Sequence, residues 1–331
     1  MHATDQAMDD LARAALPRYG IGSDATVELC NVSENHTYSI GDAATGGRYA
    51  LRVHRPGYRT ADEIESELMW LDALRIDGVV QTPPVVPATD GARVVPVTAP
   101  GVGERNVVMF EWIGGIHADL DAGPAAVVQF ETLGAISGRM HAQAQRWRRP
   151  ARFTRPRWDY HHTLGPDGHW GAWQAGLGVG RAERDLLKRL DATIADRLRA
   201  YGQAADRFGL VHADIRLANV LIDNGDVRVI DFDDCGFSWY MYDFATAVSF
   251  IEDHPRVPEL RAAWVRGYRS VAELEPAAEA ELETFVMLRR LLLVAWVGSH
   301  HTFATEAAEL GAGFTAGTCT LAESYLTTHT S

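Results

Sequence analysis

The chain has 331 residues, of which 47% are hydrophobic, enough for a sizeable core in one large domain or two smaller ones and too apolar for a disordered chain. A net charge of −13 argues against binding a phosphate backbone, so no nucleic-acid partner is expected. The first residues lack a signal peptide's apolar run, no stretch reaches the roughly 18 apolar residues of a membrane span, and Cys30, Cys235 and Cys319 are far apart, which together suit a reduced, cytoplasmic protein with no membrane partner.

Residues 26–55 alternate apolar and polar side chains in "TVELCNV", "HTYSIGD" and "RYALRVH", separated by polar and glycine turns, and predict an antiparallel meander. The next run, "TADEIESELMWLDALR", opens on Thr60 with acids in its first turn and places Ile64, Leu68, Leu71 and Leu74 at helical spacing, which predicts a capped helix. A proline-rich stretch leads into another strand, "NVVMFEWIGG", where Gly114 and Gly115 interrupt regular structure and suggest a boundary. From about residue 120 the pattern is mainly helical, and "LLLVAWVG" at 291–298, flanked by Arg289, Arg290 and His300, reads as a core helix rather than a membrane span. The glycines of "GLGVG" at 176–180 follow no strand and read as a flexible turn rather than a phosphate loop. Two short strands, "VLI" and "VRVI", flank Asn224-Gly225, a pair that favours a tight hairpin.

The chemistry gathers around that hairpin. His212-x-Asp214-x4-Asn219 precedes it, and Asp231-Phe232-Asp233 begins twelve residues after Asn219. Either group alone reads as a turn cap or an exposed acidic loop. With a hairpin between them they converge, and then supply what phosphoryl transfer requires: a base for an attacking hydroxyl and separate hard oxygen ligands for Mg²⁺ on nucleotide phosphates.

"HADIRLAN" and "IDFDD" resemble the catalytic and metal motifs of the aminoglycoside phosphotransferase and choline kinase-like enzymes. This branch of the protein-kinase-like fold includes bacterial homoserine kinase-like and stress-response kinase-like members. The likeness extends to "ENHTYSI" as nucleotide-positioning loop, "YALRVHRPGY" as third strand, "ESELMWLDAL" as the following helix, "VMFEWIGG" as hinge and "YDFATA" after the metal motif. It implies an α+β, two-lobed fold: residues 1–110 as a nucleotide-binding lobe of antiparallel strands with one helix, 111–115 as hinge, and 116–331 as a helical lobe carrying the catalytic hairpin. It further implies ATP with Mg²⁺, Asp214 as base, Asn219 and Asp231 as metal ligands, and the backbone from Glu111 to Ile113 against adenine.

The chain also departs from that pattern. Arg52 stands where such kinases carry a phosphate-binding lysine, and the chain's one lysine, Lys188, lies in a distant helical run. A guanidinium can take the role and pair with Glu67; the alternative is a surface strand residue. No GxGxxG precedes that strand, so the side-chain and backbone donors of "SENHTYS", with Asn35 the best candidate, would have to hold the phosphates. Arg216 either meets charge on the transferred phosphoryl group or pairs with a nearby aspartate, and Asp233 or Asp234 assists the metal or faces a polar substrate. Trp147, Trp158, Trp170 and Trp173 with His161 and His162 either wall a ring-binding site or belong to the core. Acids such as Glu252 and Asp253 lean weakly toward a cationic acceptor.

The expected activity is transfer of the ATP γ-phosphate to a hydroxyl of a small molecule, either an antibiotic or an amino alcohol. The alternatives are a stress-response-type Ser/Thr protein kinase, disfavoured by the short Cys235–Met241 segment and the missing APE motif, and a nucleotide-binding pseudokinase scaffold, disfavoured by the intact Asp214, Asn219 and Asp231. The sequence leaves the acceptor, ATP against GTP, and the oligomeric state open.

Overall fold

The computed structural model describes residues 3–32 and 35–329. The chain forms two compact units, one of Met1–Arg75, Thr82–Gly114 and Arg149–Thr154, the other of Ile76–Gln81, Gly115–Arg148 and Arg155–Ser331.

In the first unit, helix α1 (Ala3–Ala15) precedes the predicted meander of β1 (Thr26–Val32), β2 (His36–Gly41) and β3 (Arg48–Val53), followed by helix α2 (Ala61–Ile76) and strands β4 (Val85–Val86), β5 (Val95–Ala99) and β6 (Gly103–Glu111). The sheet is antiparallel throughout, in the order β1-β2-β3-β6-β4, with β5 also on β6. Met8, Leu11, Ala12 and Ala15 of α1 bury into one cluster with Leu51, Val53, Val95 and Val97 of the sheet. Because side chains alternate along a strand, Leu51 and Val53 on that core face send Arg52 to the opposite one. Helix α2 starts as predicted, with a capping box in which the Glu63 N–H donates to Thr60 Oγ1 at 3.2 Å and the Thr60 N–H to Glu63 Oε2 at 2.8 Å. Its predicted apolar positions, Ile64, Leu68, Leu71 and Leu74, are all buried.

The second unit is helical around three small β pairings. Strand β7 (Ile116–His117) leads into helices α3 (Pro124–Arg146), α4 (Tyr160–Thr163) and α5 (Arg181–Tyr201), then strands β8 (Phe208–Val211), β9 (Val220–Asp223), β10 (Asp226–Val229) and β11 (Gly236–Trp239). Helices α6 (Tyr242–Ala247), α7 (Val257–Arg269), α8 (Pro276–Ala280), α9 (Leu282–His300), α10 (Thr305–Leu310) and α11 (Gly313–His329) complete it. β9 and β10 form the predicted hairpin, Asp223 opposite Asp226, across Asn224 at φ 51° and Gly225 at φ 91°; two successive positive φ values are what a tight hairpin turn requires. α3 and α7 touch at two glycines: a Cβ on Gly134 would lie 2.0 Å from the Trp264 carbonyl oxygen, and one on Gly267 1.7 Å from that of Glu131. α9 is buried along nearly its whole length, as its apolar run predicts, and no described helix is long and apolar enough to cross a membrane.

Candidate active site

The segment from His212 to Ile215 is held by α6. After β8, the backbone N–H groups of His212 and Ala213 both donate to the buried carboxylate of Asp243 on α6, at 3.1 and 2.8 Å. The Ile215 N–H donates to Thr246 Oγ1 one turn further along α6, at 3.1 Å. Ala213 sits at φ 67°, a left-handed conformation an alanine adopts only under constraint, and the Asp243 carboxylate supplies that constraint. The His141 Nε2–Asp243 Oδ2 contact of 3.0 Å and the His141 Nδ1–Tyr268 hydroxyl contact of 3.1 Å brace Asp243 in turn.

His212 ties this segment to the metal motif. Its Nδ1 accepts from the Asp214 N–H at 3.2 Å, so the proton lies on Nε2, which donates to the Ile230 carbonyl at 3.1 Å. The Ile230 N–H donates to the Asn219 carbonyl at 3.0 Å. Asp231 follows at φ 64°, a region aspartate tolerates better than most residues.

Asp214 is the centre of the arrangement. Arg289 Nη2 of α9 donates to its Oδ1 at 2.7 Å, Asn219 Nδ2 to its Oδ2 at 2.9 Å, and Arg216 Nε lies 3.6 Å from that same Oδ2. Burial pushes the Asp214 carboxyl above the usual carboxylate range, with the Arg289 and Arg216 charges pulling the other way. For Arg289, burial alone would lower the guanidinium, but Tyr242 and Asp214 raise it instead. Asp214 is therefore a largely enclosed carboxylate held by two guanidiniums, with about 18% of its side chain still exposed.

The second Asn219 amide hydrogen goes to the Asp214 carbonyl oxygen at 2.9 Å. With both hydrogens committed, the amide orientation is settled and its Oδ1 points away from them, a hard oxygen suited to a divalent cation. No group of three or more His, Cys, Asp or Glu suited to a metal occurs among the described residues. Asn219 with Asp231 fits a cation that takes its remaining ligands from nucleotide phosphates and water.

In the first unit Arg52 is buried, which removes the surface-strand alternative, and its Nη1 lies 2.8 and 3.0 Å from the two oxygens of the fully buried Glu67 on α2. One guanidinium nitrogen thus serves both carboxylate oxygens. Asn35 is buried, and its Oδ1 accepts the Arg55 N–H at 3.1 Å, so part of this side chain braces the exit from β3. Ser33 and Glu34 of the same loop lie outside the described residues. The Glu111 N–H donates to Pro84 and the Trp112 N–H to Arg48, while Ile113 has no backbone acceptor among the described residues.

Asp233 and Asp234 brace the structure through their carbonyls, which accept from Arg155 and from Trp158 Nε1. Trp158, Trp170 and Trp173 are buried, and Glu252 is bound internally by Arg290 at 2.5 Å. Sequence reasoning missed Asp243, His141 and Arg289. For Arg289 a signal existed: two adjacent arginines inside the apolar run of a buried helix call for charged partners.

A model of the phosphotransferase enzyme family matches residues 28–282. The chain belongs to that family. It is 27% identical over 318 residues to the amicoumacin kinase of Bacillus subtilis (strain 168), covering 92% of this chain and 89% of that one. Among solved structures it is similar to a microcompartment-associated aminopropanol kinase, at 48% identity and TM-score 0.88 over 97% of this chain and 98% of that one. It shares its fold with the amicoumacin kinase hAmiN, solved with AMP-PNP, Ca²⁺ and amicoumacin, at 22% identity and TM-score 0.75 over 96% of each chain. The protein has the mixed helix-and-sheet fold of these kinases and is an ATP-dependent kinase of small molecules.

Proposed function

We propose that the protein transfers the γ-phosphate of Mg-ATP to the hydroxyl of a compact amino alcohol. The observation that carries this reading is the 48% identity to the aminopropanol kinase across nearly all of both chains. In this reading Asp214 orients the acceptor hydroxyl and takes its proton late in the transfer. Arg289 and Asn219 fix its two oxygens, so only a narrow range of hydroxyl approaches is productive. Asn219 and Asp231 hold Mg²⁺, which when bound neutralises phosphate charge. Arg52, oriented by Glu67, contacts the α- and β-phosphates, Asn35 helps position them, and the backbone from Glu111 to Ile113 receives the adenine.

The amicoumacin kinase relationship supports a second reading, an antibiotic kinase. A protein-kinase reading has no such support, because β11 occupies the stretch between the metal motif and α6 where an activation loop would lie. The test is Mg-ATP turnover on a panel of 1-amino-2-propanol, ethanolamine, choline, amicoumacin and aminoglycosides. Highest kcat/KM on 1-amino-2-propanol or ethanolamine is expected, and exclusive turnover of amicoumacin or an aminoglycoside would move the assignment to the second reading.

A further inference from the structure

Arg216, two residues from the base, is held by another acid. Its Nη1 lies 2.7 Å from Glu306 Oε1 on α10, and its guanidinium lies over the Phe250 ring at 5.3 Å. Glu306 is 42% exposed, whereas Arg216 is 19% exposed, so the carboxylate is the partner that solutes can reach. Aromatic rings lie alongside this pair. Phe250 packs on Trp296, Trp296 stacks on His300, and Phe303 on His300.

A second observation comes from the same ring cluster. Trp170 is 6% exposed, and its indole N–H has no acceptor among the described residues. Its ring lies 5.3 Å from the Arg289 guanidinium that holds Asp214, and packs edge-on to Trp296 and His300. A buried donor without an acceptor is rare in a native protein, because it has lost water and gained nothing. The hydroxyl oxygen of an acceptor arriving at Asp214 would supply what it lacks.

Resting on the amino-alcohol reading above, we infer that Glu306 is the ammonium receptor of the acceptor site, and that acceptor binding exchanges Arg216 for the substrate's amine on that carboxylate. Without acceptor, Glu306 holds Arg216 back. A protonated amine competes for the same oxygens and is favoured further by aromatic faces. Arg216, released from Glu306 but still beside Asp214, then has its Nη donors available for the transferring phosphoryl group. In that transfer the acceptor oxygen forms a bond to the γ-phosphorus, the bond from the γ-phosphorus to the β–γ bridging oxygen breaks, ADP leaves, and the hydroxyl proton passes to Asp214. A neutral diol of the same shape has no charge with which to displace Arg216. The latch therefore doubles as a selectivity filter and restrains transfer to water.

The experiment compares 1-amino-2-propanol with the isosteric 1,2-propanediol, in the full chain with Mg-ATP. Wild-type enzyme should prefer the amine by at least about a hundredfold in kcat/KM, the scale of a charge pair at a binding site. Glu306→Gln should abolish that preference, chiefly through KM for the amine, leave the diol unimpaired, and raise acceptor-independent ATP hydrolysis severalfold. Glu306→Asp should retain part of the preference, and Trp170→Phe should weaken both acceptors alike. Equal losses for both acceptors in Glu306→Gln would make Glu306 merely structural, and an intact amine preference would place the ammonium elsewhere; either overturns the assignment. If wild-type enzyme turns over amicoumacin but neither propanol compound, the amino-alcohol reading itself fails, and this assignment with it.

Discussion

Arg52 and Asp214 are both charged groups held by ion pairs, but the structure fixes them in different ways. Arg52 is placed by sheet register, with Thr37 opposite on β2 and Val108 on β6, and paired with Glu67, fifteen residues on. Asp214 sits in an irregular turn whose supports come from Asp243 and Thr246 on α6 and from Arg289, 75 residues away. Regular structure aims one side chain with few specific contacts. A loop that must aim several needs a separate support for nearly every peptide group, because it has no ladder of its own.

The largest expected effect follows from breaking the loop's output. Asp214→Ala should bind Mg-ATP about as well as wild type and transfer phosphate at least about a hundredfold more slowly, since a positioned carboxylate contributes on the order of 10²–10⁴ to such a step. Single-turnover transfer with labelled ATP measures this, and fast transfer would mean the base is misassigned. Asp243→Ala tests the support instead: it strands two buried N–H groups and frees Ala213 from its left-handed conformation. It should cost about 2–5 kcal/mol in denaturant unfolding and lower kcat well beyond any change in nucleotide affinity. Unchanged kcat in folded Asp243→Ala would make the support dispensable.

On the sheet side, Arg52→Ala leaves Glu67 charged in a fully buried position and should cost about 3–5 kcal/mol while raising KM for ATP. Arg52→Lys should recover part of both. Unchanged ATP kinetics in Arg52→Ala would confine the pair to a structural role.

A smaller effect sharpens the comparison through pH. Because burial raises the Asp214 carboxyl and the base works deprotonated, kcat/KM should climb with pH through a value above the ordinary carboxylate range. Arg289 pulls that value down, so in Arg289→Gln the climb should move to higher pH. A pH profile on folded variant checks the direction, and an unmoved limb would remove Arg289 from the base's environment. The smallest effect is expected at the hairpin, where Gly225→Ala at φ 91° should cost on the order of 1 kcal/mol with little change in KM for ATP.

The same contrast explains what the sequence revealed. The meander and α2 were legible because alternation, the Thr60–Glu63 box and the 3.6-residue spacing are local signals, and the hairpin because Asn224-Gly225 favours one turn. Asp214, Asn219 and Asp231 were legible as a spaced motif. Their supports were not: nothing near Asp243 in the sequence marks it as the acceptor for peptide groups thirty residues earlier. Arg289 looked like an interruption in an apolar run. The partner of Arg216 was open between a phosphoryl group and an aspartate; the structure has it beside Asp214 at 3.6 Å and also on Glu306, 90 residues away, which nothing local in the sequence marks.

The pairing of β11 with β8, Gly236 opposite Val211, has a kinetic consequence. It closes the stretch from Phe208 to Trp239 at its base, so the segment bearing Asp214 and the segment bearing Asp231 cannot drift apart without breaking a ladder. The base and metal motifs thus form one clasp, shut before any substrate arrives. Turnover should begin without a lag on mixing with substrates.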